Sequence, residues 1–295
     1  MPIEPPVVSP TDLAGAYEAL AAAGSLPATG DGVRAVQPIA GGTDLMVALT
    51  GELGAPPARI VDLWRIKAMR GISVEGGSLV LGALTTYTDL RRSAICREHL
   101  PALVEAAATI GAAQIQNRGT LGGNIANASP AGDTLPVMLA ADASFLLGSL
   151  RGEREVAARD FWTGYRQTAL APDELLVRIR VPLADGREMR FRKVGTRRAQ
   201  SISKVVIALA WRPGPDGRWS DVRLALGSVA PTPIRAAATE GVLEGAAPTP
   251  AVADLAADTL AAELRPIDDV RSTAEYRRVV AARVLHRLIR EAGGW

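Results

Sequence analysis

The chain has 295 residues, 48% of them hydrophobic, which is enough for roughly two domains with separate cores. Lys and Arg number 33 against 31 Asp and Glu, a formal net charge of +2; that balance and an aromatic content of 4% give no steering field or stacking platform for nucleic acid. A single cysteine, Cys96, excludes an internal disulfide, a CxxC redox pair and an iron–sulfur cluster held by this chain alone; with only His99 and His286, far apart, no metal site is assigned.

No apolar run approaches the ~18–20 residues that span a bilayer. The opening MPIEPPVVSP has neither a basic nor an apolar signal region, so the expected location is cytoplasmic. Ser9-Pro10-Thr11-Asp12 opens a helix, with Ser9 as N-cap, Pro10 in the first turn and Asp12 at N3; alanine-rich sequence carries it to Ala23, and Gly24 stops it. Val33 to Ile39 reads as a strand running into Gly41-Gly42, and Thr43-Asp44 starts a helix through Leu49. Ile60 to Leu63 is a strand. Ile72 to Val74 and Leu79 to Leu81 form a hairpin about Gly76-Gly77.

Glu98 to Ala108 is helical, with Leu100, Leu103, Val104 and Ala107 on one face. From Gly111 to Pro130 the helix signal collapses into a long loop of glycine, asparagine and small residues. Asp133 to Ala141 is helical, and Phe145 to Leu147 and Leu175 to Val181 are strands. After about Ala184 the pattern changes. Met189 to Val194, Lys204 to Trp211 and Val222 to Val229 read as a three-stranded sheet, with a turn at Pro213 to Gly217. Helices follow over about Ile234 to Leu243, Pro250 to Leu264 and Thr273 to Ala292. The class is α+β.

Two segments carry chemistry. Ile39-Ala40-Gly41-Gly42-Thr43-Asp44-Leu45 joins a strand to a helix, and its glycines let backbone N–H groups approach an anion such as a pyrophosphate. Gly119-Thr120-Leu121-Gly122-Gly123-Asn124-Ile125 lies in the long small-residue stretch, of a kind that is often functional. Tight turns needing positive φ account for the same glycines equally well. Neither segment is a Walker A or a GxGxxG motif, and Ser129 and Ser203 lack a nearby His and a GxSxG context, so no catalytic residue is assigned. Lysine is scarce: Lys67, Lys193 and Lys204 are the only ones, which singles each out for a specific task.

The loops AGGTDL and RGTLGGNIANASPAGD resemble the paired FAD loops of the flavoprotein (medium) subunits of the molybdenum hydroxylase family, which includes carbon monoxide dehydrogenase and xanthine dehydrogenase. GALTTYTDL (82–90), FRKVGTRRAQSISKV (191–205), GSVAPTPIRA (227–236) and PIDDVRSTAEYRR (266–278) continue the likeness in the same order over nearly the whole chain. The resemblance implies a p-cresol methylhydroxylase-type FAD domain of two subdomains over residues 1–184, divided near 60, followed by a small C-terminal domain over 185–295.

Matched position by position, it implies FAD contacts from Ile39, Ala40, Gly41, Gly42, Thr43, Asp44 and Leu45, and from Thr120, Leu121, Gly122, Gly123 and Asn124. Further contacts are Ile110, Asp133, Leu176 and Lys193. Read from the residues alone, Asp133 is equally a helix N-cap and Lys193 a solvated strand residue. The arginines 190, 192, 197 and 198 form a solvated face. Neither histidine lies in a matched loop, so the FAD is expected to be noncovalent. The family further implies an electron relay. Electrons come from a molybdenum cofactor in a large subunit through [2Fe-2S] clusters in a small subunit, within an (αβγ)2 assembly. A free-standing FAD-dependent oxidoreductase of the same fold is the alternative.

Overall fold

A computed structural model describes residues 5–22, 35–51, 55–183, 186–197 and 200–295. The first sheet is parallel, with the order β1 (Val7–Val8), β3 (Arg59–Asp62), β2 (Val36–Ile39). Helix α1 (Leu13–Ala21) buries Ala16 and Leu20. Its N-cap is Asp12, whose carboxylate accepts from the Gly15 amide at 2.8 Å, and not Ser9, which points to Asp62 instead. The expected end of this helix at Ala23-Gly24, like Arg198, lies outside the described residues. Helix α2 (Leu45–Thr50) follows the first glycine loop.

The second sheet is antiparallel, with the order β4 (Ile72–Glu75), β5 (Ser78–Gly82), β10 (Leu175–Pro182), β6 (Ser144–Ser149), β7 (Gly152–Ala157). Gly76 and Gly77 turn the first hairpin with φ of +56° and +74°, the two positive values a two-residue turn of this hand requires. Between β5 and β6 come the helices α3 (Tyr87–Arg92), α4 (Ala94–His99), α5 (Pro101–Thr109), α6 (Ala113–Arg118), α7 (Leu121–Asn127) and α8 (Leu135–Ala140).

Two expectations change here. The single helix over Glu98–Ala108 is broken at Leu100 (φ −149°, ψ 62°), because a residue before proline is pushed out of helical backbone. The expected loop over 111–130 holds α6 and α7. The Thr120 hydroxyl caps α7 on the Gly123 amide at 3.1 Å, while Leu121 and Ile125 bury their side chains. Tertiary burial thus outweighs the poor helix propensity of glycine and asparagine.

Helix α9 (Ala158–Phe161) and a small hairpin, β8 (Trp162–Gly164) with β9 (Gln167–Thr168), return the chain to β10. The last sheet is antiparallel in the order β11 (Glu188–Val194), β12 (Val205–Pro213), β13 (Trp219–Gly227), β14 (Ile234–Arg235); the short fourth strand takes the first residues expected to be helical. Helices α10 (Ala237–Leu243), α11 (Pro250–Glu263) and α12 (Ala274–Gly293) cover one face.

Strand β12 is buried on both faces. Val205, Ile207, Leu209 and Trp211 join the core under α10 to α12, where Trp211 stacks on Trp219 at 4.6 Å. Val206, Ala208 and Ala210 belong to the other core, where they and Ala225 of β13 are small enough for α8 to lie against both strands. A charged knot supports the far end of this contact. Arg187, Arg212 (3.1 Å) and Arg223 (3.0 Å) all bind Asp221, and Arg223 also reaches Asp142 across the contact at 3.4 Å.

Burial alone would raise the Asp221 carboxyl, but the hydrogen bonds from Arg187 and Arg212 and the charge of Arg223 hold it at about 2. A folded-state value below the unfolded one adds stability above the unfolded value, and that stability is lost as pH falls through the folded value. Melting followed from pH 5 to pH 2 should therefore show an acid limb worth about 1–2 kcal/mol that is flattened in Asp221→Asn.

Candidate functional site

The first glycine loop leaves β2 at Ile39 and enters α2. None of the amides of Ala40, Gly41, Gly42, Thr43 and Asp44 donates a hydrogen bond within the described residues. Five successive N–H groups are thus left without a protein partner among the described residues; with α2 only six residues long, the amides themselves would matter more to an anion there than a helix dipole. Gly42 has φ +78°. A Cβ on Gly41 would fall inside the carbonyl oxygen of Arg118, so the two loops touch backbone to backbone. The Arg118 guanidinium lies 3.8 Å from the centre of the Trp64 ring, with Arg70 on the same ring at 4.3 Å, which fixes that contact.

The second loop behaves differently. Its Gly122 and Gly123 amides are taken by the Ala83 carbonyl (2.9 Å) and the Thr120 hydroxyl. A Cβ on Gly122 would come within 2.7 Å of the Ala83 oxygen, and one on Gly119 within 2.7 Å of the Tyr87 ring. These glycines permit close packing. Leu121 is wholly buried in the core.

A cleft of about 880 Å³ opens beside the loops, walled by both parts of the chain. Of the residues singled out in the sequence, Thr43, Asp44, Ile110, Asn124, Asp133 and Lys193 line it. Ile39, Ala40, Gly41, Gly42 and Leu45 shape the first loop, and Thr120, Leu121, Gly122 and Gly123 build the start of α7 behind it. Leu176 is buried in β10 at a bulge and lies apart from the lining. The lining also includes residues not anticipated: Tyr87, Tyr165 at the tip of the β8–β9 hairpin, Ser203, Ser228 and Arg277. Tyr87, Ser203, Ser228 and Arg277 lie within the stretches GALTTYTDL, FRKVGTRRAQSISKV, GSVAPTPIRA and PIDDVRSTAEYRR, but nothing in those stretches marks these particular residues for the cleft.

Asp133 and Lys193 form the cleft's central ion pair, Nζ to Oδ2 at 2.6 Å, with side chains 6% and 9% exposed. Lys193 also donates to the Thr109 carbonyl at 3.1 Å, and Ser203 donates to the other carboxylate oxygen. Lys193 is therefore no solvated strand residue, and Asp133 caps no helix. Arg190 and Arg192 do lie on the outer side, paired with Glu188 and Glu291.

Burial pushes the Asp133 carboxyl up, against the pull of Lys193 and the Ser203 and Thr109 hydroxyls. Arg277, 4% exposed, binds Asp269 at 2.7 Å and the Ser228 carbonyl, while its Nε and the Ser228 hydroxyl are buried with no partner. Ser228 holds φ +65°, with its amide on the Pro130 carbonyl at 2.7 Å. Unpartnered amides beside the cleft, with two orphaned polar groups and buried cations in its lining, fit a large, phosphate-bearing ligand with a polar ring system, which is the chemistry of a flavin dinucleotide.

Removing Lys193 leaves Asp133 buried without its counter-charge. Lys193→Met should cost about 3–5 kcal/mol near neutral pH. An acid raised in the folded state loses stability as pH rises through that value, so the deficit against wild type should shrink as pH falls and Asp133 takes a proton; denaturation at several pH values reads this directly.

Residues 2–184 match the FAD-binding domain in molybdopterin dehydrogenases, and residues 190–292 match the carbon monoxide dehydrogenase flavoprotein C-terminal domain. The carbon monoxide dehydrogenase medium chain of Hydrogenophaga pseudoflava is 35% identical over 86% of this chain and 88% of its own. The xanthine dehydrogenase FAD-binding subunit of Escherichia coli O157:H7 is 33% identical over 87% and 89%. A chain of the reconstituted carbon monoxide dehydrogenase from Oligotropha carboxidovorans superposes with a TM-score of 0.90 at 31% identity, covering 100% of this chain and 99% of that one. With the two-part cleft and its glycine loops, these likenesses establish that the chain belongs to the FAD-binding medium subunits of the molybdenum hydroxylase family.

Proposed function

We propose that this chain relays electrons from [2Fe-2S] clusters of a small partner subunit, through noncovalent FAD, to an external acceptor. Substrate oxidation takes place at a molybdenum cofactor in a large subunit of an (αβγ)2 complex in the cytoplasm. The observation that carries the reading is the pairing of a cleft suited to FAD with a chain whose sole cysteine, Cys96, is buried, and whose described residues hold no cluster of metal ligands. Exchange of one or two electrons at a time is the chemistry FAD supplies when bound. The residues of this chain bind and orient.

The amides from Ala40 to Asp44 would hold the pyrophosphate. Gly41 lets Arg118 close the loop from behind, and the start of α7 at Thr120 to Asn124 supports it. Ile110 and Lys193 would meet the ring system and Asp133 the hydroxyls of the chain between; Leu176, matched by the resemblance to a flavin-contacting position, is buried in β10 apart from the cleft lining. No side chain is required as general acid or base. No helix among the described residues is long and apolar enough to cross a membrane.

The purified chain should show flavin absorbance near ~450 nm and release FAD into the supernatant on acid denaturation. Absence of flavin after reconstitution with excess FAD would sink the site. Gly41→Ala, whose methyl group has no room against the Arg118 carbonyl, should weaken FAD at least about tenfold, roughly 1.4 kcal/mol, while circular dichroism stays that of wild type.

A further inference from the structure

Helix α5 ends at Thr109, and its last carbonyls have no helical partner. Gln116, on α6 and 5% exposed, claims two of the carbonyls at this end. Its Nε2 donates to the Ile110 carbonyl at 3.0 Å and to the Ala108 carbonyl at 3.4 Å. The carbonyl between them, that of Thr109, accepts from Lys193 at 3.1 Å. A carbonyl only accepts, so the side-chain amide must present its NH2 group to this pair, which turns Oε1 toward the Arg91 guanidinium on α3.

The bend that Gln116 holds is a demanding one. Gly111 has φ +55°, and a Cβ there would come within 2.5 Å of Ile115. Ile110 and Gly111 line the cleft together with Lys193. The Lys193 ammonium group has three N–H donors; Asp133 and Thr109 take two, and among the described residues the third is left for the cleft. Without Gln116, two carbonyls would be buried with no donor, and Lys193, already bonded to the carbonyl between them, is a donor at hand.

We propose that Gln116 is a positioning residue for the flavin: it holds Ile110 and the free donor of Lys193 in place against the ring system. The inference rests on the FAD reading above. Gln116 does not line the cleft, and it acts through the backbone of residues 108–111.

The test uses the full chain loaded with FAD. Gln116→Leu is of similar volume and offers no donor. Its affinity for FAD should fall by no more than about tenfold, the worth of one neutral hydrogen bond. Its flavin absorption band should shift and its midpoint potential should fall, because less positive charge faces the ring as it gains electrons. Gln116→Glu keeps a partner for Arg91 but, ionised, gives the carbonyls no donor. Its spectrum should match that of Gln116→Leu near neutral pH and return toward wild type as pH falls and the protonated carboxyl offers an O–H; Gln116→Leu should show no such return. Leu103→Ala, which opens a cavity under the buried face of α5, should lower the melting temperature and leave the flavin spectrum and potential those of wild type.

Wild-type spectrum and potential in both Gln116 variants overturns the proposal. So does an equal shift in Leu103→Ala, which would make the effect a general loosening of α5. If Gln116→Leu does not fold, the pH-dependent return of Gln116→Glu decides alone, its presence supporting the proposal and its absence overturning it. A wild-type chain that takes up no FAD would instead defeat the reading of the cleft, and this inference with it.

Discussion

Burial of both faces of β12 is the constraint on which the rest of the structure depends. A strand with one solvated face would leave the C-terminal sheet free to settle at many angles against the FAD-binding part. Here the alternation of large side chains toward α10–α12 and Val or Ala toward α8 fixes one approach, because only the small side lets a helix lie that close. That approach decides where β11, the turn after β13 and the N-terminal end of α12 stand. It therefore decides where Lys193, Ser228 and Arg277 face the cleft. The second wall of the site is a consequence of packing some distance away from it.

The two glycine loops look alike in sequence and do different work. The first leaves its amides without partners among the described residues, and the second spends its amides on the protein and uses its missing Cβ atoms to pack. Their meeting point, Gly41 on the Arg118 carbonyl, makes one rigid element of the two, and Trp64 between two guanidiniums holds it in place. The Asp133–Lys193 pair then joins this element to the C-terminal sheet. An ion pair so buried is a weak source of net stability, since desolvation offsets much of the attraction; its value lies in admitting one arrangement of the two walls.

Exposed apolar side chains occur at several places on the surface, Leu150, Leu255 and Val270 among them. Tyr165 and Ile202 project at the cleft mouth, and α2 stands uncovered beside the first loop. Elsewhere, edge strands are guarded by charge, as in β7, where Glu153, Arg154 and Glu155 occupy an edge of the five-stranded sheet.

The sequence by itself determined the α+β class, most strands and the C-terminal helices, because alternation and 3.6-residue periodicity are local properties read within a few residues. It also marked both glycine loops, and lysine scarcity singled out Lys193. Tertiary structure alone decided the remainder. Helices α6 and α7 form in a segment of poor propensity because Leu121 and Ile125 find a core. Tyr87, Ser228 and Arg277 reach the cleft from segments far apart in the chain; each lies in a stretch that carries the family likeness, but nothing local says that they meet. The identity of Asp133 as an ion-pair partner in place of a helix cap, and the burial of Lys193 on a strand that reads as half solvated, depend on which face of β11 meets the other part of the chain. That choice is made by the packing of β12 against α8, a contact between residues some 70 positions apart that short-range sequence pattern does not encode.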